Sequence, residues 1–459
     1  MSTVANAAHA GASAVEKHPK GLYVLFATEM WERFSFYSML ALFTLYLKNP
    51  DEGFGWTAAQ ATGLYANYLM FVYFSPLLGG FLADRKLGYR RAVMIGGIFF
   101  MAGHLLLSFK SLPMVYAALT CLVIGNGFFK PNVSTMVGNL YREGSHLKDR
   151  AYNIFYMGIN VGAFLAPLVA EGVRARFGFH PAFAVAAFGM LISVTILWRF
   201  KKHVEDPARA TGGSFAAAAA APGAKKLAID AIPDWKRCGA LIVIYLVVIV
   251  FWMVFHQNGS TLTYWANDNT DWASSKVLPV IVSILTLGTV KSHEISGVIS
   301  NAINPFWIIT LTFPLVWFWQ MLDRRGKEPS TPTKIGIGMF LTSASFFILY
   351  FAAKSGGDTG KVSAWWLIGA YFVISLGELM LSPMGLSLVS KVAPIRLRGV
   401  MMGGWFAATA IGNKLTAIGV YWEKWLHSSF FLVLGTCALV MAIVLLFLMK
   451  PLKKAMPGV

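Results

Sequence analysis

The sequence predicts an all-α integral membrane protein with 12 transmembrane helices in two six-helix bundles, and three observations carry that expectation. Of its 459 residues 56% are hydrophobic and 13% charged, with a mean hydropathy of +0.59, far from the balance of a soluble globular domain. Apolar runs such as LIVIYLVVIVFWMVF at 241–255 suit helices crossing about 30 Å of hydrocarbon, and they lack the alternation of a membrane β-barrel. The apolar segments also fall into two sets of six, separated by a polar stretch.

Residues 1–21 are small and polar, with no apolar core or cleavage site of a removable signal. They read as a cytoplasmic tail, with the first helix retained as a signal anchor. Apolar length and loop punctuation place six spans within 22–200, at roughly 22–47, 60–84, 91–109, 113–140, 150–171 and 181–200. Residues 201–237 read as a cytoplasmic linker, with Lys201, Lys202, Lys225 and Lys226 around the tract GGSFAAAAAAPG. Six further spans within 238–449 follow at roughly 238–266, 300–322, 333–352, 363–389, 398–421 and 429–449, and 450–459 form a second cytoplasmic tail.

With both termini inside, 27 of the 39 Lys+Arg fall on the cytoplasmic side, the basic loops 85–91, 199–237, 324–334 and 391–398 among them, as the positive-inside rule requires. That placement accounts for most of the +18 net charge without a compact basic domain, so a nucleic-acid partner is excluded. Cys121, Cys238 and Cys437 have no metal-ligand spacing and read as small core residues, with no disulfide framework. Neither a nucleotide-binding glycine loop with its lysine, an HExxH, nor a nucleophile elbow is present, so no enzyme chemistry is expected.

The loop GGFLADRKLGYRR at 79–91, with Gly79, Asp84, Arg85 and Gly88, resembles the signature loop of the major facilitator superfamily. That resemblance implies a substrate site near the midplane between two halves. At about 1.5 Å per residue, Glu32, Arg33, Lys130, Asn160 and Glu378 all lie roughly 15 Å deep, with Tyr37 and Trp405 within about two turns of that level. An intramembrane charge costs about 2.5–3.5 kcal/mol on insertion scales, so these groups face a wet cavity or one another.

Glu29, Glu32 and Arg33 share one helix face at i, i+3 and i+4. Two carboxylates against one guanidinium form either a self-neutralising cluster or a site that takes up and releases a proton, and intramembrane acids commonly mark proton relays. Lys130 and Glu378, on opposite halves, form either a permanent structural pair or a gating salt bridge that substrate and proton compete for. Lys414, near the outer end of the eleventh helix, is expected to snorkel. His104 reads as packed or lipid-facing, and Pro76, Pro131, Pro167, Pro305, Pro314 and Pro383 read as kinks and close-packing points.

EMWERFSFY at 29–37, GNGFFKPN at 125–132, FYMGINVGA at 155–163 and GELMLSPMG at 377–385 resemble motifs of the proton-dependent oligopeptide transporter family (POT/PTR2), in both halves. The resemblance implies that Glu29, Glu32 and Arg33 couple proton binding to transport, that Lys130 contacts a peptide carboxylate, and that Glu378 binds its amino group. Positions Tyr37, Tyr73, Tyr156, Asn160, Trp252, Ser382 and Trp405 would line the cavity. It also implies a di- or tripeptide as partner, protons as the coupling ion with no cofactor, a lipid-embedded monomer and a bacterial cytoplasmic membrane.

The chain departs from the family where an arginine and a seventh-helix acid usually form a salt bridge, for Leu40 and His256 stand there. His256 is either a neutral gate residue or a second proton-coupling group. Phe36 replaces a family tyrosine, and Ala66 matches the histidine of animal members. Two other functions remain open: the same fold carrying a non-peptide organic anion, and a membrane sensor that binds a ligand without moving it.

Overall fold

In hydrocarbon every backbone N–H and C=O must be satisfied within its own segment, and the long apolar runs of this chain meet that demand as helices. The computed structural model describes residues 18–141, 147–204, 228–291, 294–381, 385–394 and 397–457; most of the expected tail 1–21 and of the linker 201–237 lies outside them. The first half comprises α1 (Lys20–Lys48), α2 (Ala58–Leu82), α3 (Tyr89–Leu106), α4 (Leu112–Asn139), α5 (Leu147–Phe177) and α6 (Phe179–Arg199). The second comprises α7 (Asp234–Phe255), α8 (Thr261–Asp268), α9 (Val277–Leu285), α10 (Ser300–Asp323), α11 (Thr331–Ser355), α12 (Ala364–Leu381), α13 (Gly385–Val392), α14 (Arg398–Leu415) and α15 (His427–Ala455). Each half has its own apolar core. One is built around Leu25, Phe43, Phe100 and Phe183, the other around Phe251, Trp265, Phe346 and Phe431.

Taking α7 with α8 and α12 with α13 as interrupted spans, the described helices match the expected two sets of six, with α9 as an addition. Nine helical stretches among the described residues are long and apolar enough to cross a membrane by composition alone. The other three correspond to α1, α3 and α14, and α1 carries Glu29, Glu32 and Arg33 in its middle.

Two details differ from the sequence expectation. The continuous seventh helix predicted over 238–266 is broken by a 3-10 turn at His256–Gly259, where the sequence reads Asn258-Gly259, a turn dipeptide. The carbonyls released by the break are satisfied from the other bundle: Thr44 Oγ1 donates to the Gly259 oxygen at 3.0 Å, and Tyr65 OH to the His256 oxygen at 3.3 Å. Irregular backbone at this depth is tolerated because protein, not lipid, surrounds it. The segment 267–299, read from sequence as a plain loop, contains α9 and β1 (Thr270–Asp271), which pairs in parallel with β2 (Val362–Ser363).

Glycines set how closely the helices approach. Gly158 and Gly162 form a small-xxx-small pair on α5. A Cβ at Gly162 would lie 2.2 Å from the Met30 carbonyl oxygen of α1, and one at Gly158 2.9 Å from the Phe26 ring. Gly79 of α2 likewise meets the Gly127 carbonyl of α4, 1.9 Å from where a Cβ would sit. After α2 the chain makes one π turn over Ala83–Leu87 and reverses at Gly88, whose φ of 75° favours glycine.

The two bundles are joined at the end where α1 finishes. There the Lys48 ammonium lies 3.9 Å from Asp268 and 4.2 Å from the centre of the Tyr264 ring. Ala58 N donates to Glu423 at 2.8 Å, Ser296 N to the buried Glu171 at 3.0 Å, and Thr62 and Tyr264 share a hydrogen bond of 3.2 Å. Because the Gly162 contact is with backbone, it cannot be relieved by a rotamer change. Gly162→Val is expected to lower the thermal midpoint of the purified protein by an overpacking cost of about 1–3 kcal/mol, whereas Gly63→Ala, with nothing within 4 Å, leaves it unchanged; equal midpoints for the two variants would refute this packing account.

Candidate functional site

The i, i+3, i+4 spacing on α1 brings Glu29, Glu32 and Arg33 together as expected. Arg33 Nη2 donates to Glu32 Oε1 at 2.5 Å, Arg33 Nε donates to Glu32 Oε2, and Nε lies 3.3 Å from Glu29 Oε1. All three are buried, and the Arg33 guanidinium also lies 4.9 Å from the centre of the Phe36 ring. Glu29 Oε2, by contrast, has no hydrogen-bond partner among the described residues. The cluster sets two carboxyl groups against one guanidinium, with one carboxyl oxygen left unpartnered among the described residues.

The compensating charge comes from α4, which the glycine contact with α2 holds close. Asn126 Nδ2 donates to the Val72 carbonyl at 2.7 Å, and one turn further Lys130 Nζ lies 4.4 Å from the centre of the Tyr73 ring. Lys130 is within electrostatic reach of Glu29, Glu32 and Arg33. Tyr73 in turn faces His256 at 5.7 Å and Trp252 at 6.4 Å between ring centres. Lys130, Trp252 and His256 thus gather around one aromatic ring, that of Tyr73.

On the opposite bundle Glu378 is held by Asn304 of α10, whose Nδ2 donates to Glu378 Oε2 at 2.9 Å and to Ser375 Oγ at 2.9 Å. Tyr37 and Tyr156 both lie within electrostatic reach of Glu378. Asn160 Nδ2 donates to the Tyr156 carbonyl at 2.9 Å. Trp405 packs its indole onto the backbone of Gly385, where a Cβ would come within 1.9 Å of Cη2, and edge-on to Tyr245 at 6.3 Å. Ser382 lies outside the described residues.

The gating contact expected between Lys130 and Glu378 is not formed in this structure. The bundles meet at the Lys48 end, and each charge has taken partners of its own bundle, Tyr73 for the lysine and Asn304 for the acid. Lys414 also differs from expectation, since its ammonium donates to Asn67 of α2 across the bundles instead of reaching for the membrane surface. His104 is buried and stacked on Phe100, with ring centres 6.1 Å apart and planes 7° from parallel, the packed alternative. His256 is buried with both ring nitrogens unpartnered among the described residues, and the charge acting on it is Lys130. Among the described residues no carboxylate pairs with it.

Asn304 was not singled out from the sequence. The available signal was an amide inside an apolar run just before Pro305, a group that needs a buried partner. Among the described residues no group of three or more His, Cys, Asp or Glu side chains is arranged to hold a metal ion.

Two helical bundles around opposed, unpaired charges define a membrane transporter of the major facilitator type. The chain belongs to the POT family, whose model matches residues 90–220 and 214–430. It is 31% identical to the uncharacterized transporter YclF of Bacillus subtilis over 96% of each chain. It is 30% identical to a di-/tripeptide transporter of Lactococcus lactis, over 96% of this chain and 97% of the relative. Its structure superposes on the crystal structure of a peptide transporter POT in complex with sulfate with a TM-score of 0.82 at 29% identity, covering 96% of each chain. A variant of a peptide transporter POT bound to alafosfalin matches at 0.81 and 29%, again over 96% of each.

Removing one member of a buried ionic network strands the others. Arg33→Met, which leaves Glu29 and Glu32 without their guanidinium, is expected to destabilise the protein by about 3–5 kcal/mol, read as a lowered denaturation midpoint in detergent; an unchanged midpoint would show the cluster to be energetically independent.

Proposed function

We propose that this protein is a proton-coupled symporter that imports di- and tripeptides by alternating access. The observation that carries the reading is the opposition of Lys130 on one bundle and Glu378 on the other, each half-buried and neither neutralised by the other. A short peptide offers one carboxylate and one ammonium at a nearly constant separation. A base and an acid on facing bundles hold both termini by charge-assisted hydrogen bonds, whatever the side chains. The names of the relatives, di-/tripeptide and peptide transporters, support the same substrate class.

In this mechanism the bundles 22–200 and 238–449 rock about the bound peptide, with the linker 201–237 and both tails in the cytoplasm of a bacterial cell and the basic-loop end facing inward. The contacts at the Lys48 end then form the closed external gate. A proton on the Glu29, Glu32 and Arg33 cluster cancels its excess negative charge and frees Lys130 to take the substrate carboxylate. Loss of that proton restores the attraction between cluster and lysine and favours release. When the cytoplasmic side closes, Lys130 and Glu378 approach and pair in the empty site. The protein acts as a monomer in the bilayer, and the proton gradient replaces any cofactor.

Reconstituted into proteoliposomes with an acidic outside, the protein is expected to accumulate labelled di-alanine, and an uncoupler abolishes that accumulation. Uptake of organic anions but not peptides would assign it to the other substrate class, and binding without accumulation would make it a sensor. Glu32→Gln is expected to lose gradient-driven uptake while retaining peptide exchange, and unimpaired gradient-driven uptake would remove the coupling role. Lys130→Ala and Glu378→Ala should each lower peptide affinity by about 10- to 100-fold, the worth of one hydrogen bond to a charged group; near-normal affinity in either variant excludes that residue from the site.

A further inference from the structure

His256 differs from a histidine that merely fills space, although it is 6% exposed and its two ring nitrogens have no partner among the described residues. His104 has equally unpartnered nitrogens, but among the described residues it meets the aromatic ring of Phe100 alone. His256 instead sits where α7 breaks, stacked on Trp252 with ring centres 5.0 Å apart and planes 25° from parallel. It faces Tyr73, over whose ring Lys130 Nζ lies. Trp252 Nε1 is likewise buried and unpartnered. Trp252 and His256 are four residues apart, so they share one face of α7 and its extension, and that face is the one turned to Tyr73. A buried N–H without an acceptor costs about 1–3 kcal/mol, and two such groups beside one half-buried ammonium form a set of donors lacking only an anion.

We infer that the ring N–H groups of His256 and Trp252 form, with Lys130, the subsite for the substrate's free carboxylate. This rests on the peptide reading above and adds to it a direction-sensitive part. Lys130 supplies charge, while the two rings supply donors fixed by their mutual stacking, and His256 acts as a neutral donor and not as a carrier of the coupled proton. Lys130 lies within electrostatic reach of the imidazole, and an imidazolium there would repel it. A site that commits buried donors to an oxygen rejects an analogue that cannot accept from them. A peptide ending in a primary amide, which has one carbonyl oxygen and an NH2 group in place of two anionic oxygens, is therefore bound weakly.

The test is isothermal titration of purified protein with di-alanine and with its C-terminal amide, beside pH-dependent uptake in proteoliposomes. The unaltered protein is expected to favour the free acid at least about tenfold, as loss of a hydrogen bond to a charged group implies. His256→Phe keeps an aromatic ring without the donor and should reduce that preference about fivefold or more. Trp252→Phe should act in the same direction. His256→Gln, which retains a neutral donor, restores the preference and leaves the pH profile of uptake unchanged. An undiminished preference in His256→Phe and Trp252→Phe overturns the subsite, and a lost or shifted pH dependence in His256→Gln overturns the neutral role. If His256→Phe does not fold, Trp252→Phe and His256→Gln decide the same two points. Failure of the unaltered protein to bind either peptide overturns the peptide reading and the subsite together, whereas acid preference that survives both phenylalanine variants overturns only the subsite.

Discussion

The burial of charge inside the bilayer constrains everything else in this structure. Glu29, Glu32, Arg33 and Lys130 lie where water is scarce, and each is tolerable only because the others are near. Their separation along the chain means that α1 and α4 must be brought together, and the glycines of α2, α4 and α5 permit that approach. The packing of the first bundle and the chemistry of its cavity are consequences of the same requirement. Gly162 abuts the cluster itself, since a Cβ there would lie 3.1 Å from Arg33 Cβ as well as against the α1 backbone.

The second bundle solves the same problem differently. Among the described residues Glu378 has no ion-pair partner, and it is held by the amide of Asn304, which also donates to Ser375. A neutral amide satisfies a carboxylate oxygen without cancelling its charge, so the acid stays attractive to an incoming ammonium. One bundle presents a cation above an aromatic ring, the other an anion on an amide. This asymmetry suits a zwitterion and gives the cavity an orientation.

The seam between the bundles holds without an ion pair at Leu40 and His256. Its deeper contacts run between hydroxyls and the carbonyls of the broken seventh span, at Thr44 with Gly259 and Tyr65 with His256. Each such bond contributes about 0.5–1.5 kcal/mol, so a gate made of several can open stepwise. The charged contacts, Lys48 with Asp268 among them, lie at the mouth, where solvent screens them.

By itself the sequence determined the helical class, the two sets of six spans, the α1 cluster and the level of Lys130, Asn160 and Glu378. Apolar length, helical periodicity and the cost of a buried charge are properties of local sequence. The family membership was legible too, because its motifs place charges where few sequences can carry them. Only the tertiary structure decided that Lys130 rests on Tyr73 and not on Glu378, that Asn304 supports the acid, that Lys414 crosses to Asn67, and that the seventh span breaks at His256. Those outcomes depend on which helices touch and at which end the bundles close. Such contacts join residues tens to hundreds of positions apart, and no local pattern encodes their distance in space.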